Sequence, residues 1–114
     1  MLSYSGHESN SVMVFTVEEA AAGDSVASQR EWLYNTVSSR EDPRFVIDLL
    51  EIPYMASSDI GVLITLKRRI DGRKGKLVLA NVDPYIVDTL RTMKIDKLFT
   101  IVADMPAAVA ALSA

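Results

Sequence analysis

The sequence predicts an α/β fold, a small mixed and mostly parallel sheet with helices packed against it. Short runs of β-forming residues alternate with segments at helical spacing, a pattern typical of βαβ units. Residues 12–17 and 45–50 are apolar on both faces, so we expect them to be adjacent interior strands. With 114 residues, the chain is long enough for one domain and too short for two. Residues 1–114 are therefore expected to form a single domain.

Composition narrows the classes of function. A hydrophobic content of 49% favours an ordinary globular core, and twelve basic against fifteen acidic residues leave a net charge of −3. This balance gives no reason to expect a nucleic-acid or membrane partner. Cysteine is absent, which excludes disulfides and thiol catalysis. Without a long apolar stretch or a signal peptide, the sequence predicts a cytoplasmic protein.

The N-terminal segment is polar and made of small residues, but Leu2 and Tyr4 alternate with serines. We expect a short edge strand there, turned either at Gly6-His7 or at Ser9-Asn10, with a loose terminus as the alternative. Residues 18–22 are acidic and alanine-rich, which favours one helical turn.

A first long helix is expected next. Asp24 or Ser25 is a suitable N-cap, and the polar stretch 38–43 ends the helix as a loop. Trp32 adds a large apolar surface to it.

The segment after the central strand has the features of a connection followed by a helix. Pro53 cannot donate a hydrogen bond to a strand ladder, so residues 52–55 are predicted to be a loop. Ser57 and Ser58 stand just before a helical pattern and are candidate N-caps. That pattern consists of Ile60, Leu63, Ile64, Leu66 and Ile70. A helix N-terminus carries unpaired N–H groups and partial positive charge, so a phosphate on such a hydroxyl would be tolerated.

The rest of the chain repeats the alternation of strand and helix. Asp83 is the predicted N-cap of the second-last helix, with Pro84 at its first position, where a missing N–H costs nothing. Asp104 is predicted to open a terminal helix that runs through Leu112. The other predicted elements are a turn at 71–75 and strands at 76–80 and 98–102.

The central segment resembles the core of the STAS domain, the family of bacterial anti-sigma factor antagonists. The family pattern is a strand, an Asp, a few residues, and then Met-Asp-Ser-Ser-Gly-Leu-Gly opening a helix. Here Asp48 is followed by residues 55–61, which read Met-Ala-Ser-Ser-Asp-Ile-Gly. Two positions depart from the pattern, because Ala56 replaces the family's Asp and Asp59 replaces its first Gly. The resemblance implies a STAS-like sandwich that begins with a hairpin.

The resemblance also implies a function in the regulation of transcription through protein–protein binding. In the family, the unphosphorylated domain binds an anti-sigma factor serine kinase and thereby releases the sigma factor. The phosphorylated serine of the family corresponds to Ser57, and phosphorylation blocks binding. The implied partner-binding residues are Tyr54, Met55, Ala56, Ser57, Ser58, Asp59 and Asn81.

A second interpretation is a STAS scaffold or subunit of a transporter or signalling assembly that is not phosphorylated. Ala56 and Asp59 favour it, because a carboxylate beside Ser57 opposes a phosphate carrying a charge of about −1.5 to −2. The sequence leaves the partner's identity open and is compatible with a homodimer.

No motif supports an enzyme. His7 is the only histidine, so a serine nucleophile lacks an assigned base, and the pattern G-x-S-x-G is missing. Residues 72–76, Gly-Arg-Lys-Gly-Lys, have neither the spacing nor the strand-to-helix context of a phosphate loop. The sequence predicts no cofactor and no metal site.

Overall fold

The structure is a computed structural model that describes residues 2–9, 12–19, 26–39 and 44–113. Strands and helices alternate along most of this chain. The strands are β1 (Leu2–Ser9), β2 (Val12–Glu19), β3 (Arg44–Asp48), β4 (Lys76–Ala80) and β5 (Thr100–Val102). The helices are α1 (Val26–Ser38), α2 (Ser57–Gly72), α3 (Pro84–Thr92) and α4 (Met105–Ser113), with a short 3-10 helix at Asp96–Leu98.

The five strands form one sheet whose spatial order, β1-β2-β3-β4-β5, follows the order in the sequence. β1 pairs antiparallel with β2, and the other three pairings are parallel. The predicted mixed, mostly parallel sheet is therefore confirmed. β2 and β3 are adjacent and interior, as their two apolar faces predict, with Phe15 beside Ile47 in register.

Both faces of the sheet are covered, because side chains along a strand point alternately to opposite sides. In β3, Phe45 and Ile47 belong to the larger core, which also contains the buried residues of α1, α2 and α3. Val46, between them, packs on the other face with Ala108 and Leu112 of α4. Three helices therefore cover one face and α4 covers the other.

The pairing of β1 with β2 excludes one of the two positions predicted for the turn of the N-terminal hairpin. Gly6 and His7 lie inside β1 and pair with β2, while Ser9 pairs with Val12. The Gly6-His7 alternative is therefore wrong, because both residues are paired within the strand. A Cβ at Gly6 would lie 3.1 Å from the ring atoms of Phe15. Asn10, of the other alternative, lies outside the described residues.

The acidic stretch after the second strand also differs from the prediction. Glu18 and Glu19 continue β2, because they pair with Ser3 and Leu2 of β1, so the expected helical turn is wrong for these two residues. The rest of that stretch and both candidate caps of α1, Asp24 and Ser25, lie outside the described residues.

The second half of the chain follows the predictions closely. Asp83 caps α3 by accepting a hydrogen bond from the Tyr85 N–H at 2.8 Å, with Pro84 at the first position. Asp104 accepts one from the Ala107 N–H at 2.9 Å, where α4 begins. The last strand is shorter than predicted, since the N–H of Leu98 donates to the Ile95 carbonyl within the 3-10 turn.

In the described part of the chain, every helix is too short or too polar to cross a membrane.

Candidate functional site

The candidate site is built where β3 and β4 end and α2 begins. Asp48, the last residue of β3, uses one carboxylate oxygen to accept two hydrogen bonds. The Leu50 N–H donates at 3.1 Å and the Asn81 side-chain amide donates at 3.0 Å. Asp48 therefore shapes the start of the loop after β3 and ties it to the residue that follows β4.

Asn81 has a backbone φ of 56°, in the left-handed region that asparagine tolerates better than most residues. This conformation turns the chain directly after β4, and the side chain is held by Asp48. Asn81 thus lies at the end of β4, as predicted, and its side-chain amide is engaged by Asp48.

The loop between β3 and α2 is anchored by two buried apolar side chains. Ile52 and Met55 both belong to the larger core. The residues between and beside them turn outward, because Leu50 is 67% exposed and Tyr54 is 57% exposed. A rigidly held loop that presents apolar side chains to solvent is suited to contact with another protein.

The N-cap of α2 is Ala56, and neither serine holds that position. Ala56 has an extended conformation, φ −74° and ψ 163°, and its carbonyl accepts hydrogen bonds from the N–H groups of Asp59 and Ile60. Ser57 and Ser58 are the first two residues inside the helix, and both are exposed. The prediction that a serine hydroxyl caps the helix is therefore wrong, although both serines do lie at its start.

Alanine has no side-chain acceptor for the N–H groups of the first turn, and Asp59 supplies only the return hydrogen bond of a capping box. One Asp59 carboxylate oxygen accepts a hydrogen bond from the Ala56 N–H at 3.3 Å. The residue is only 7% exposed, and its negative charge lies in the first turn of α2. The helix dipole favours a carboxylate at this position.

Tyr4 of β1 is buried, and its phenol interacts electrostatically with the Asp59 carboxylate. Burial raises the pKa of the Tyr4 phenol far above its ordinary value, and the Asp59 carboxylate and Tyr34 raise it further, while Arg30 lowers it. Tyr4 is therefore neutral. Its buried hydroxyl has no hydrogen-bond partner among the described protein atoms.

The residues that the sequence predicts for the site lie around the start of α2, but some are exposed and others are buried. Tyr54, Ser57 and Ser58 are exposed, and Ala56 is half-buried. Met55 and Asp59 are buried beneath them. The exposed residues can touch a partner, whereas the buried ones hold the loop and the helix start in place.

Two apolar residues of this surface were missed by the analysis of the sequence. Tyr85, 61% exposed, contacts Tyr54 with ring centroids 6.2 Å apart, so the surface extends onto α3. Leu50 is the other. The sequence did contain one signal for Tyr85, because this residue directly follows the predicted helix start at Asp83-Pro84. A side chain in the first turn of a helix lies near the loop that precedes the helix.

Comparison with known proteins agrees with this architecture. The STAS domain family matches residues 5–108, nearly the whole chain. The chain belongs to the STAS domain family, and the resemblance seen in the sequence is confirmed. No curated protein matches the chain.

Solved structures of the same fold come from several bacteria. An anti-sigma-factor antagonist (STAS) domain protein from Planctomyces limnophilus is 20% identical, with a TM-score of 0.84 and coverage of 98% of this chain and 99% of that one. An anti-sigma factor antagonist from Mycobacterium paratuberculosis is 16% identical, with a TM-score of 0.79 and coverage of 100% and 96%. The Bacillus cell fate determinant SpoIIAA in its phosphorylated form is 12% identical, with a TM-score of 0.63 and coverage of 96% and 99%. At these identities the likeness establishes the fold.

Proposed function

We propose that the chain is an anti-sigma factor antagonist-like regulator that acts in the cytoplasm as a single domain, by binding a protein partner. The partner is an anti-sigma factor serine kinase or a similar protein, and the chain itself catalyses no reaction. The surface in contact consists of the start of α2 and the loop before it, with Tyr54, Ser57 and Ser58 at the front. Met55, Ala56, Asp59 and Asn81 support that surface.

The observation that carries the proposal is the exposure of Ser57 as the first residue of α2. At this position a hydroxyl is open to a kinase and lies beside the N–H groups of Ser57 and Ser58, which an α-helix cannot pair internally. The exposed rings of Tyr54 and Tyr85 lie beside the same helix start. Tyrosine is enriched among the residues that dominate binding energy at protein interfaces.

Phosphorylation of Ser57 serves as the switch in this proposal. An interface closed around a neutral hydroxyl has no place for a doubly charged group, so a phosphate opposes binding through charge and desolvation. The unphosphorylated chain binds its partner and the phosphorylated chain is released.

Asp59 favours a second candidate function, a scaffold without a phosphate switch. Its carboxylate already accepts the Ala56 N–H that a phosphate at the helix start could otherwise recruit. A phosphate on Ser57 would then lie near a buried negative charge. In that case the same surface binds its partner constitutively, as a subunit of a transporter or signalling assembly.

Incorporation of labelled phosphate by the cognate anti-sigma factor serine kinase tests the switch. Wild type should be labelled, Ser57→Ala should remain unlabelled, and Ser58→Ala is the matched control that should still be labelled. Equal labelling of wild type and Ser57→Ala would eliminate Ser57 as the site.

Binding to the same kinase, measured by calorimetry, separates the two candidate functions. Ser57→Asp should weaken binding at least about tenfold, because an unpaired charge is costly in a closed interface. Ser57→Ala should bind like wild type. Binding that persists while no variant can be labelled would select the scaffold.

A further inference from the structure

We propose that the cleft between α1 and α2 is a docking site for an acidic, extended segment of a partner protein. This cleft is separate from the surface around Ser57, because Arg69 lies about three turns, or about 18 Å, further along α2. The cleft has a volume of about 360 Å³, and it is lined by Arg30, Glu31, Tyr34, Asn35 and Arg69.

Arg69 of α2 is held in position at one side of the cleft. Its Nη1 donates a hydrogen bond to the Ser38 hydroxyl at 3.2 Å, and its Cζ lies 5.0 Å from the centre of the Tyr34 ring. The planar guanidinium group has five N–H donors, so most of them remain available to a ligand. Because the group is already oriented by these two contacts, a carboxylate that binds it loses less conformational entropy.

Arg30 supplies a second positive charge from the α1 side. The residue is half-buried, and among the described residues it forms no ion pair. It precedes Tyr34 by one helical turn and therefore lies on the same side of α1. The helix dipole favours a cation at a C-terminus, so it does not account for an arginine in the N-terminal half of α1.

The charge of the cleft differs from that of the whole chain. Among the described residues that line it, Glu31 is the only acidic one, and its side chain is exposed. The lining thus has two positive charges and one negative charge, on a chain whose net charge is −3. Such a local excess of positive charge attracts an anionic ligand to this part of the surface.

The shape of the cleft favours a chain segment over a small ligand. Glu31, Asn35 and Arg69 are all exposed, so the cleft is open along its outer side, whereas a small molecule is normally bound with most of its surface enclosed. Acidic side chains two residues apart on an extended segment point to the same side and lie about 7 Å apart. One segment can therefore offer a carboxylate to each arginine, and the Asn35 amide can pair with its backbone.

Titration of the isotope-labelled protein with acetylated hexaglutamate, followed by NMR, tests the proposal. Amide chemical shifts should change around the cleft between α1 and α2, with a dissociation constant of about 1 mM at low salt, as expected for a few charge-assisted contacts. The changes should disappear in about 0.5 M NaCl, because salt screens exposed charges. Hexaglutamine is the control peptide and should leave the shifts unchanged.

Variants that change one charge assign the site. Arg30→Gln and Arg69→Gln should each weaken binding of hexaglutamate about fivefold, because each removes one charge-assisted contact. Arg68→Gln removes the same charge from the neighbouring exposed residue, which does not line the cleft, and should change the affinity less than about twofold. Glu31→Gln should strengthen binding, because it removes the negative charge of the lining, and this gain provides a test that no loss of folding can imitate.

Three results would overturn the proposal. The first is that hexaglutamate at about 5 mM leaves the amides around the cleft unshifted. The second is that Arg68→Gln weakens binding as much as Arg69→Gln does, which would indicate a diffuse attraction to the basic end of α2. The third is that inorganic phosphate shifts the same amides at equal concentration, which would replace the acidic segment with a small anion.

Discussion

Asp59 stabilises the start of α2 and at the same time opposes the proposed phosphorylation of Ser57. Its buried carboxylate completes the start of α2 through the Ala56 N–H, and the same charge lies within a turn of Ser57. The helix gains a cap at the position where a phosphate would meet repulsion. A substitution at Asp59 is therefore expected to lower the stability of the fold and to raise the rate of phosphorylation at Ser57.

Asp59→Gly should raise the rate of labelling at Ser57 by about three- to tenfold, the effect of removing one nearby charge. The same change should lower the free energy of unfolding by about 1–2 kcal/mol, through loss of the cap and the greater flexibility of glycine. Initial rates of phosphate incorporation and urea denaturation measure the two effects.

Asp59→Asn is the matched control, because it keeps the shape and removes only the charge. It should raise the rate of labelling as much as glycine does, with a smaller loss of stability. If neither variant is labelled faster than wild type, the Asp59 charge does not limit phosphorylation.

Tyr4 gives a second prediction at this scale. Its buried hydroxyl lacks a partner among the described atoms, so removing it leaves no other group unsatisfied. Tyr4→Phe should leave the free energy of unfolding unchanged or raise it by up to about 1–2 kcal/mol in urea denaturation. A loss of more than about 1 kcal/mol would show that the hydroxyl contributes a hydrogen bond.

Among the elements, α2 begins with an unusual cap. Ala56 has the extended backbone of an N-cap but is among the poorest residues for that position. Ala56→Ser should raise the free energy of unfolding by about 0.5–1.5 kcal/mol, because its hydroxyl can accept an N–H of the first turn. Urea denaturation measures the change. Ala56→Val, which adds no acceptor, is the control and should not stabilise.

The misassigned serines show what a sequence pattern can and cannot resolve at the scale of an element. Ser57 and Ser58 precede the apolar positions of α2, and a serine is acceptable both as N-cap and inside the first turn. The start of the helix depends instead on Asp59, whose carboxylate is buried by the fold and accepts the Ala56 N–H. The existence of α2 could be predicted, but its first residue could not.

The same limit applies to Gly6 and Tyr85. Glycine is common in turns, and the pairing of Gly6 with Phe15 across the hairpin is what shows that it belongs to a strand. Tyr85 joins the candidate surface through contact with Tyr54, which is 31 positions earlier in the chain. In contrast, Asp83 and Asp104 were predicted correctly because capping depends on residues a few positions away.

At the scale of the whole molecule, the two faces of the sheet are covered unequally. Three helices pack on one face, while the other depends on α4, whose buried side chains are Ala108 and Leu112. Leu112→Ala should therefore lower the free energy of unfolding by about 2–4 kcal/mol in urea denaturation.

Leu98→Ala is the control for this prediction, because that leucine is partly exposed and should cost under about 1 kcal/mol. Hydrogen exchange gives a second readout, since amides of α4 should lose protection before those of β3. A Leu112→Ala variant as stable as wild type would show that α4 is not needed to cover its face.

The strand order has a consequence for how the chain is made. Each strand from β2 to β5 pairs with the strand before it in the sequence, so a pairing can form as soon as its second strand has left the ribosome. The hairpin pairing is local, whereas each parallel pairing must first close a loop that contains a helix, which costs entropy and slows folding. We expect the sheet to grow strand by strand from its N-terminal hairpin during synthesis. Pulse proteolysis of stalled nascent chains should then detect a protected β1–β3 unit before β5 has emerged.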